Sequence, residues 1–563
     1  MTTIPVNCFT QFSQPIEDYE LPSRFTFPFY YQAHPLCLLA AEEVQQGLMT
    51  AQSWQHNFGL GDDPHLIIGK MFGVLLVQNK QGEIGYLAAF SGKLAEQNHI
   101  EGFVPPVFDL LAKDSFFLKQ QSNIQQLNQQ IELLEQSPEL SRLKLLLEQQ
   151  VSTRDKHIAQ LRAEMIEQRK VRKEQRSVAQ TSLSPRDFTV LQQELNQQSI
   201  ADKLKLKALS NEWDGRVKQA QQAFDAINNQ LINLKLQRKQ DSAALQQEIF
   251  AQYQFLNQQG QSKNLQDIFS QTALRTPPAG AGECAAPKLL QYAFKHQLKP
   301  LAMAEFWWGA SPKSEVRQHK QFYPACLGKC QPILAHMLAG MALDENPMLV
   351  NQAAGKTLEI IYQDEHMLVV NKPAEFLSVP GKDIEDSVYT RIKSQFPQAT
   401  GSLIVHRLDM STSGLMVIAL NSAAHKNLQR QFIQRKVKKS YVALVEGLVP
   451  EDAGTINLPL RGDLYDRPRQ LVCEQHGKAA TTYWQVIQRN QGTQQTKLLL
   501  QPHTGRTHQL RVHCAHTLGL NMPILGDDLY GKVGERLHLQ AQRLALFHPV
   551  SQQWLEFAAE HEF

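Results

Sequence analysis

The spacing of hydrophobic residues changes several times along the chain, and each spacing predicts a different kind of element. Near the start, short apolar runs such as 66–78 (LIIGKMFGVLLVQ) and 84–92 (IGYLAAFSG) alternate with glycine and proline turn signals. Apolar runs of this length, bounded by turns, indicate buried strands. We therefore predict a small α/β domain, the first part of which spans residues 1–117.

A long stretch from Leu118 to about Ser262 has almost no glycine or proline and is rich in Gln, Lys and Glu. Its apolar residues step by three and four, which is typical of a coiled coil. The clearest steps are Ile124, Leu127, Ile131, Leu134, and then Phe224, Ile227, Leu231, Leu234. One break at Pro185 divides the stretch into two helices, which favours an antiparallel hairpin over 118–262. A parallel dimeric coiled coil is the alternative.

Globular sequence with several aromatic residues returns after the helices, over residues 263–340. The hairpin is therefore predicted to be inserted in one N-terminal domain made of residues 1–117 and 263–340. A loop-like linker, 341–357, then leads to a C-terminal domain over 358–563.

The C-terminal domain contains short β-branched or aromatic runs, such as YVALVEG, TTYWQVI and KLLLQP, separated by turns and a few helices. This pattern predicts an α+β fold with a mixed, mostly antiparallel sheet. For the whole chain the prediction is thus an α+β C-terminal domain together with a helical hairpin inserted in a small α/β domain.

Composition and charge exclude several classes of protein. The 57 Lys and Arg nearly balance the 54 Asp and Glu, so a basic tail that coats nucleic acid is not expected, although a local basic patch is compatible with this balance. The first residues lack a secretory signal, and no apolar run approaches the roughly 20 residues that cross a bilayer. Seven cysteines in 563 residues do not suggest a disulfide framework. We therefore expect a cytoplasmic protein without membrane contact.

Candidate chemistry concentrates in the C-terminal domain. In VHRLDMSTSGLMVIA (405–419), Asp409 lies in a turn rich in hydroxyl groups, just before an apolar run. Such a turn can hold a carboxylate ionised in a cleft, as a nucleophilic aspartate requires. Taken alone, the same residue types are more typical of a turn or a helix cap.

Two further segments carry basic residues. In 501–531, Arg506, His508 and Arg511 follow a Thr-Gly turn, and arginine suits planar pairing with carboxylates and phosphates. In 434–447, a basic run leads into Tyr441 at the start of a strand. Charge followed by an aromatic ring fits contacts with an RNA backbone and base. A solvated basic surface is the alternative for both. The basic run consists of Arg435, Lys436, Lys438 and Lys439.

Taken together and in this order, these segments resemble the RluA family of pseudouridine synthases, over about residues 358–563. The most specific match is HRLDMSTSGLMVIA, which fits the family pattern HRLDxxTSGxxxxA, and the segments VVNKP, TGRTHQLRVH and PILGDDLY also match. The resemblance implies an isomerase that converts uridine to pseudouridine. It also implies large-subunit ribosomal RNA, the anticodon stem-loop of transfer RNA, or both, as substrate.

The resemblance also implies a role for each matching residue. Asp409 corresponds to the nucleophile, Tyr441 to the tyrosine that stacks on the target base and assists proton removal, and Arg511 to the arginine that pairs with the aspartate. Arg407 corresponds to the arginine that fills the space left by the flipped base. The remaining predicted RNA-binding residues are His406, Arg506, His508, Arg435, Lys436, Lys438, Lys439 and Lys372.

The chain departs from the family pattern at two places. It has Lys372-Pro373-Ala374-Glu375 where the family commonly has Lys-Pro-x-Gly, and Leu537-His538-Leu539 where the family commonly has Leu-His-Ala. These departures put the loop geometry and the choice of substrate in doubt, but they spare the nucleophile.

No cofactor and no metal ion are expected, because the reaction transfers neither electrons nor phosphoryl groups. Cys326 and Cys330, with Cys284 and His319 nearby, are compatible with zinc, but buried thiols are the favoured interpretation. Basic residues near Pro185 allow the hairpin to bind RNA, and contact with another protein or a second copy is an equal alternative. Solvated, Gln-rich helix faces are the favoured interpretation for most of its surface. One rival function is a ribosome-associated assembly factor with an idle synthase domain. A hydrolase that uses Asp409 is a weaker rival, since no GxSxG motif is present.

Overall fold

The computed structural model describes residues 7–50, 56–61, 69–112, 115–464 and 466–563. Two predictions fall partly outside these ranges. They concern residues 1–6, where no secretory signal is expected, and residues 66–68 of the first apolar run. The chain forms two compact units, one made of the residues up to Asp109 together with Phe250–Phe563, the other of Leu110–Ile249. No helix among the described residues is long and apolar enough to span a membrane.

A four-stranded antiparallel sheet combines strands from both sides of the helical segment. Its order is β2-β1-β5-β6. The strands are β1 (Lys70–Gln78), β2 (Ile84–Phe90), β5 (Lys299–Trp308) and β6 (Phe322–Tyr323). Helix α1 (Pro35–Thr50) packs on the face that carries Phe72 and Val74. Helix α6 (Ala285–Lys295) covers the other face beside Gly73, where a Cβ atom would lie 3.0 Å from Ala285.

Four short elements complete this part of the chain. They are β3 (Gln254–Leu256), β4 (Ser262–Asn264), α5 (Leu265–Ser270) and α7 (Cys330–Met337). Strands β3 and β4 pair with each other, and α7 packs against α5, α6 and β3.

The second unit is helical. Its helices are α2 (Phe116–Glu135), α3 (Pro138–Ser182) and α4 (Pro185–Gln252). The break before Pro185 was predicted, whereas the break before Pro138 was not. Proline has no N–H to donate and disfavours helical backbone in the residue before it, which explains why both helices begin at proline.

The two arms of the helical unit run antiparallel. Ion pairs join Glu135 to Lys235 at 2.7 Å, Arg154 to Asp214 at 3.9 Å and Arg172 to Asp202 at 2.7 Å. The residue numbers increase along the first arm while those of their partners decrease along the second, as in an antiparallel pair. The hairpin of the predicted fold class is therefore confirmed. The predicted apolar positions line its seam and are buried or half-buried.

A mixed sheet of nine strands forms the C-terminal part. Its order is β11-β14-β15-β10-β16-β9-β8-β7, with β17 also paired to β16, and every pairing is antiparallel except β9 with β16. The predicted α+β fold with a mixed, mostly antiparallel sheet is therefore confirmed. The strands are β7 (Glu359–Gln363), β8 (Met367–Lys372), β9 (Ser413–Ala419), β10 (Lys438–Glu446), β11 (Ala453–Asn457), β14 (Thr481–Asn490), β15 (Gln495–Pro502), β16 (Leu539–Phe547) and β17 (Trp554–Ala558).

A small ribbon and three helices accompany this sheet. The ribbon pairs β12 (Leu460–Gly462) with β13 (Gln470–Val472). The helices are α8 (Val388–Gln395), α9 (Ser422–Ile433) and α10 (Gln509–Ala515).

The segment before β6 packs directly on the C-terminal part. Val316 is buried within the hydrophobic core formed by β10, β14 and β15, and the Val472 amide donates to the Ser314 carbonyl at 3.0 Å. The domain boundaries proposed above at residues 340 and 357 stay predictions.

Candidate active site

Asp409 lies on the turn that precedes β9, and this turn is held from below by the segment after β8. The Ser378 hydroxyl donates to the Leu408 carbonyl at 2.7 Å, and the Phe376 amide donates to the Met410 carbonyl at 3.0 Å. Thr412 closes the turn by donating its amide to the Asp409 carbonyl at 3.1 Å. The backbone around Asp409 is therefore fixed on both sides.

Gly414 explains the glycine of the same motif. It has a φ of 109°, and a Cβ atom there would lie 2.3 Å from the Ala541 carbonyl oxygen of β16. Only glycine allows β9 to approach β16 so closely in this conformation. The pairing sets the start of β9, and with it the turn that precedes this strand, beside β16.

Lys372, predicted to bind RNA, has its ammonium occupied within the protein, and its contact with RNA stays a prediction. Its side chain is fully buried, and its ammonium donates to the carbonyls of Pro373, Phe376 and Met410 at 2.8–2.9 Å. Burial lowers the pKa of Lys372 to about 7, while Glu375 and Asp409 oppose this shift. A lysine whose three donors all meet carbonyls has none left for a phosphate. Lys372 instead fastens the Asp409 turn to the loop after β8.

The Asp409 turn opens onto a cleft of about 950 Å³ between α9, β10, β15 and α10. This volume lies within the range of small-molecule and cofactor sites. Among the described residues that line the cleft, Asp409 is the one carboxylate. The cations that line it are Arg407, Arg435, Lys438, Lys439, Arg506 and Arg511.

The predicted basic residues differ in what they contact. Arg407 and Lys438 are exposed at the cleft, and Arg435 also contacts a ring nitrogen of His503 at 2.9 Å. Burial lowers the pKa of Lys439, whose ammonium lies 5.9 Å from the centre of the Phe432 ring. The side chain of Arg506 is exposed and donates to the Ala479 carbonyl at 3.1 Å. Lys436 is exposed but does not line the cleft.

Tyr441 enters the cleft from β10. Burial, and then the charge of Asp409, raise the pKa of the Tyr441 hydroxyl well above its ordinary value. At neutral pH the phenol is therefore protonated.

Arg511 does not form the expected ion pair with Asp409. Its guanidinium binds both oxygens of Asp527, at 2.8 and 2.5 Å, and one oxygen of Asp528 at 2.7 Å. The three side chains interact because α10 and the loop after it fold against each other. Asp409 still acts electrostatically on Arg511 and raises its pKa, after the larger contributions of Asp527 and Asp528.

The two predicted histidines both form hydrogen bonds within the protein. His508 is buried with a left-handed φ of 51° and shares a hydrogen bond of 2.9 Å with the Tyr530 hydroxyl, and its contact with RNA stays a prediction. His406 lines the cleft, but its Nε2 accepts from the Val417 amide at 3.0 Å and its ring stacks on Phe432. Burial lowers the pKa of His406 to about 3, so it adds no charge to the cleft.

Thr412 is a cleft residue that the sequence interpretation did not select. Its side chain is 2% exposed, and its hydroxyl oxygen has no hydrogen-bond partner among the described residues. A buried hydroxyl without a partner is costly, and one that lines a cleft is available to a bound molecule. The position of Thr412 close to Asp409 in the motif could have suggested it as a site residue. The sequence could not show that its hydroxyl lacks a partner.

The two departures from the family pattern have local consequences. Glu375, where glycine is common, adopts a left-handed φ of 55°, a conformation that glycine enters without steric cost. Leu539, where alanine is common, lines the cleft with a larger side chain.

Comparisons with known proteins match the part of the chain that holds this site. A family model described as RNA pseudouridylate synthase matches residues 366–516. The dual-specificity RNA pseudouridine synthase RluA of Yersinia pestis is 47% identical over 211 residues, which cover 36% of this chain and 99% of that protein. The protein of the same name from Escherichia coli (strain K12) is 45% identical over 213 residues, 37% of this chain and 94% of that protein.

Among solved structures, human RNA pseudouridylate synthase domain containing 1 covers 37% of this chain and 85% of that chain, at 32% identity and a TM-score of 0.32. The family of this chain follows from its 45–47% sequence identity to relatives that are matched over nearly their whole length. The chain belongs to the RluA family of RNA pseudouridine synthases, and it is an isomerase that converts uridine to pseudouridine in RNA. The relatives match little more than a third of the chain.

Proposed function

We propose that the chain modifies uridines in large-subunit ribosomal RNA, in the anticodon stem-loop of transfer RNA, or in both, with Asp409 as the nucleophile. The observation that carries the proposal is a single carboxylate, Asp409, in a cleft lined by basic side chains. The relatives named dual-specificity RNA pseudouridine synthase support more than one RNA substrate. Free thiols at all seven cysteines agree with an enzyme of the cytoplasm.

In the proposed reaction the target uridine first leaves its stack, which costs a few kcal/mol and least in a loop. Arg407 occupies the gap, and the exposed basic residues of 435–439 and Arg506 bind neighbouring phosphates. The ring of Tyr441 stacks on the flipped base. A protonated phenol supports this stacking role over direct removal of a proton by a phenolate.

Asp409 then attacks either the sugar C1′ or the ring C6. The bond between C1′ and N1 breaks, the base rotates, and a bond between C1′ and C5 forms, while the bond to Asp409 breaks and returns the free carboxylate. The proton on C5 leaves and N1 gains one, so the product is an isomer of the substrate. Arg511, anchored by Asp527 and Asp528, acts electrostatically on Asp409 through space rather than by direct pairing.

The nucleophile and the substrates are tested together in cells that lack this protein. Pseudouridine is mapped in ribosomal and transfer RNA after complementation with wild type, Asp409→Asn, or Asp383→Asn, an exposed carboxylate away from the cleft. We expect wild type and Asp383→Asn to restore the missing pseudouridines and Asp409→Asn to restore none.

Full restoration of the pseudouridines by Asp409→Asn would refute the role of Asp409 as the nucleophile. A wild type that changes no site in either RNA would refute the substrates. Recovery of ribosome assembly by Asp409→Asn without any pseudouridine would favour the rival function, an assembly factor with an idle synthase domain.

The hairpin is proposed to contact a protein or a second copy of the chain. Exposed apolar side chains on both arms, including Leu133, Ile166 and Leu204, support this role. The basic residues near Pro185 are less available than predicted, since Arg172 is buried against Asp202 and Arg176 donates to Asn196. The molar mass in solution, measured for the full chain and for a chain without 110–249, tests self-association.

A further inference from the structure

Three cysteines far apart in sequence meet beside the four-stranded sheet. The sulfur atoms of Cys284, Cys326 and Cys330 all lie within 4.8 Å of one another. Tetrahedral zinc bound by thiolates, with Zn–S bonds of about 2.3 Å, separates its sulfurs by about 3.8 Å. The cluster is therefore close to the geometry of a metal site before any ion is bound.

The His319 side chain does not take part in the cluster. It accepts a hydrogen bond from the Gly309 amide at 2.9 Å and packs on Trp308. Of the four candidate ligands in the sequence, the fold thus selects the three sulfurs.

The local backbone favours negative charge on these sulfurs. Cys284 caps the start of α6, and Cys330 is the first residue of α7, so both sulfurs lie at helix N-termini. The backbone amides of Lys329 and Cys330 donate to the Cys326 sulfur. Amide donors of this kind orient and stabilise thiolate ligands, as the outer shell of a metal site does.

Two buried ionisable side chains, Glu305 and Lys288, interact electrostatically with the cluster. The Glu305 carboxylate on β5 is 3% exposed and acts electrostatically on Cys284 and Cys326. The Lys288 ammonium, also buried, acts on Cys284 and pairs with Glu283 at 3.3 Å. Cys284 and Cys326 are partly exposed, which leaves an ion a way in.

We propose that Cys284, Cys326 and Cys330 bind one zinc ion through their thiolates, with the fourth position taken by water. Thiolate ligands select zinc among the common divalent ions. A disulfide is less consistent with the cluster, because it would pair two sulfurs and leave the third buried beside them.

The site would be structural. It joins the start of α6, the start of α7 and the loop before α7. Binding energy at such a site is folding energy, so zinc would stabilise the sheet and the two helices on it.

The test uses the full chain, purified without chelators, and measures metal content by mass spectrometry. We expect about one zinc ion per chain in wild type and below about a tenth of that in Cys326→Ala/Cys330→Ala. Cys37→Ala is the matched control, since Cys37 is a buried free thiol of the same compact unit, in α1. It should keep its zinc. Removal of zinc should lower the midpoint of thermal unfolding of wild type by about 5 °C.

If the double variant fails to fold, cobalt titration of the metal-free wild type tests the metal site without any substitution. Binding at three thiolates produces intense thiolate-to-cobalt absorption and the visible bands of tetrahedral cobalt. A wild-type chain that holds no zinc and shows no such absorption overturns the proposal. An intact mass that shows a disulfide within the cluster, or zinc retained by the double variant, also overturns it.

Discussion

Lys372 and Thr412, two polar residues close to Asp409, are used in opposite ways. The Lys372 ammonium satisfies three carbonyls and fixes the turn, whereas the Thr412 hydroxyl is buried at the cleft without a partner. A fully satisfied group contributes to stability, while an unsatisfied one lowers it. At the residue scale, position near the nucleophile therefore says little about role until the partners are known.

Thr412→Val should separate stability from activity. Loss of an unsatisfied buried hydroxyl leaves the free energy of unfolding unchanged or raises it by up to about 1 kcal/mol. A hydrogen bond to the reacting nucleotide worth about 1–2 kcal/mol would be lost as well, which slows turnover roughly 5- to 30-fold. Urea unfolding and single-turnover kinetics on an RNA substrate measure the two effects.

Thr412→Ser is the matched control for this prediction, because it retains the hydroxyl and should react at nearly the wild-type rate. If Thr412→Val also turns over at the wild-type rate, the hydroxyl does not contact the substrate.

At the scale of elements, the hairpin is held by a few enclosed side chains along a mostly polar seam. Trp213 is 6% exposed, packs edge-on against His157 with ring centres 5.2 Å apart, and has Arg216 4.9 Å from its ring centre. Because helices so rich in solvated Gln and Lys gain little from propensity alone, such contacts fix how the two arms pair.

Trp213→Ala should destabilise the hairpin by about 3–5 kcal/mol, the usual cost of removing a large buried aromatic side chain. The loss of helical circular dichroism on heating measures this effect. Leu204→Ala on the same helix is the control, since Leu204 is 61% exposed and should change stability by less than about 0.5 kcal/mol. Equal destabilisation by the two variants would contradict a packing role for Trp213.

At the scale of the molecule, the N-terminal residues of the first compact unit contribute to the surroundings of the active site. Tyr30 is hydrogen-bonded to Asp528, which also binds Arg511. Arg317 pairs with Asp466 at 3.2 Å, and the Tyr323 ring lies between Arg317 and Arg469, 4.8 and 5.4 Å from them. The relatives, which match only the C-terminal part, have no matched counterpart of these contacts.

Arg317→Met should lower the free energy of unfolding by about 2–3 kcal/mol, because it leaves the mostly buried Asp466 with one cation fewer. The double variant Arg317→Met/Asp466→Asn should lose less free energy of unfolding than the sum of the losses in the two single variants. The difference, which is the coupling energy of the pair, should be about 1–2 kcal/mol. Urea unfolding of the four proteins measures this cycle. Arg142→Met, on an exposed hairpin pair, is the control and should leave the unfolding midpoint unchanged. Strict additivity would show that Arg317 and Asp466 do not interact energetically.

The sequence alone determined the features that are local in the chain. Heptad spacing predicted the hairpin, strand-sized apolar runs predicted the α+β fold, and the ordered motifs around Asp409, Tyr441 and Arg511 indicated the family. Each of these signals depends on residues within a few positions of one another, where periodicity and turn chemistry are directly visible.

Only the tertiary structure decided the partners of individual side chains. It directed Lys372 inward to three carbonyls, paired Arg511 with Asp527 and Asp528, buried His508 against Tyr530, and brought Cys284 to Cys326 and Cys330. The physical reason is that a hydrogen bond or a metal–ligand bond depends on distance and direction in space. Separation along the chain fixes neither of these once sheets and helices have packed.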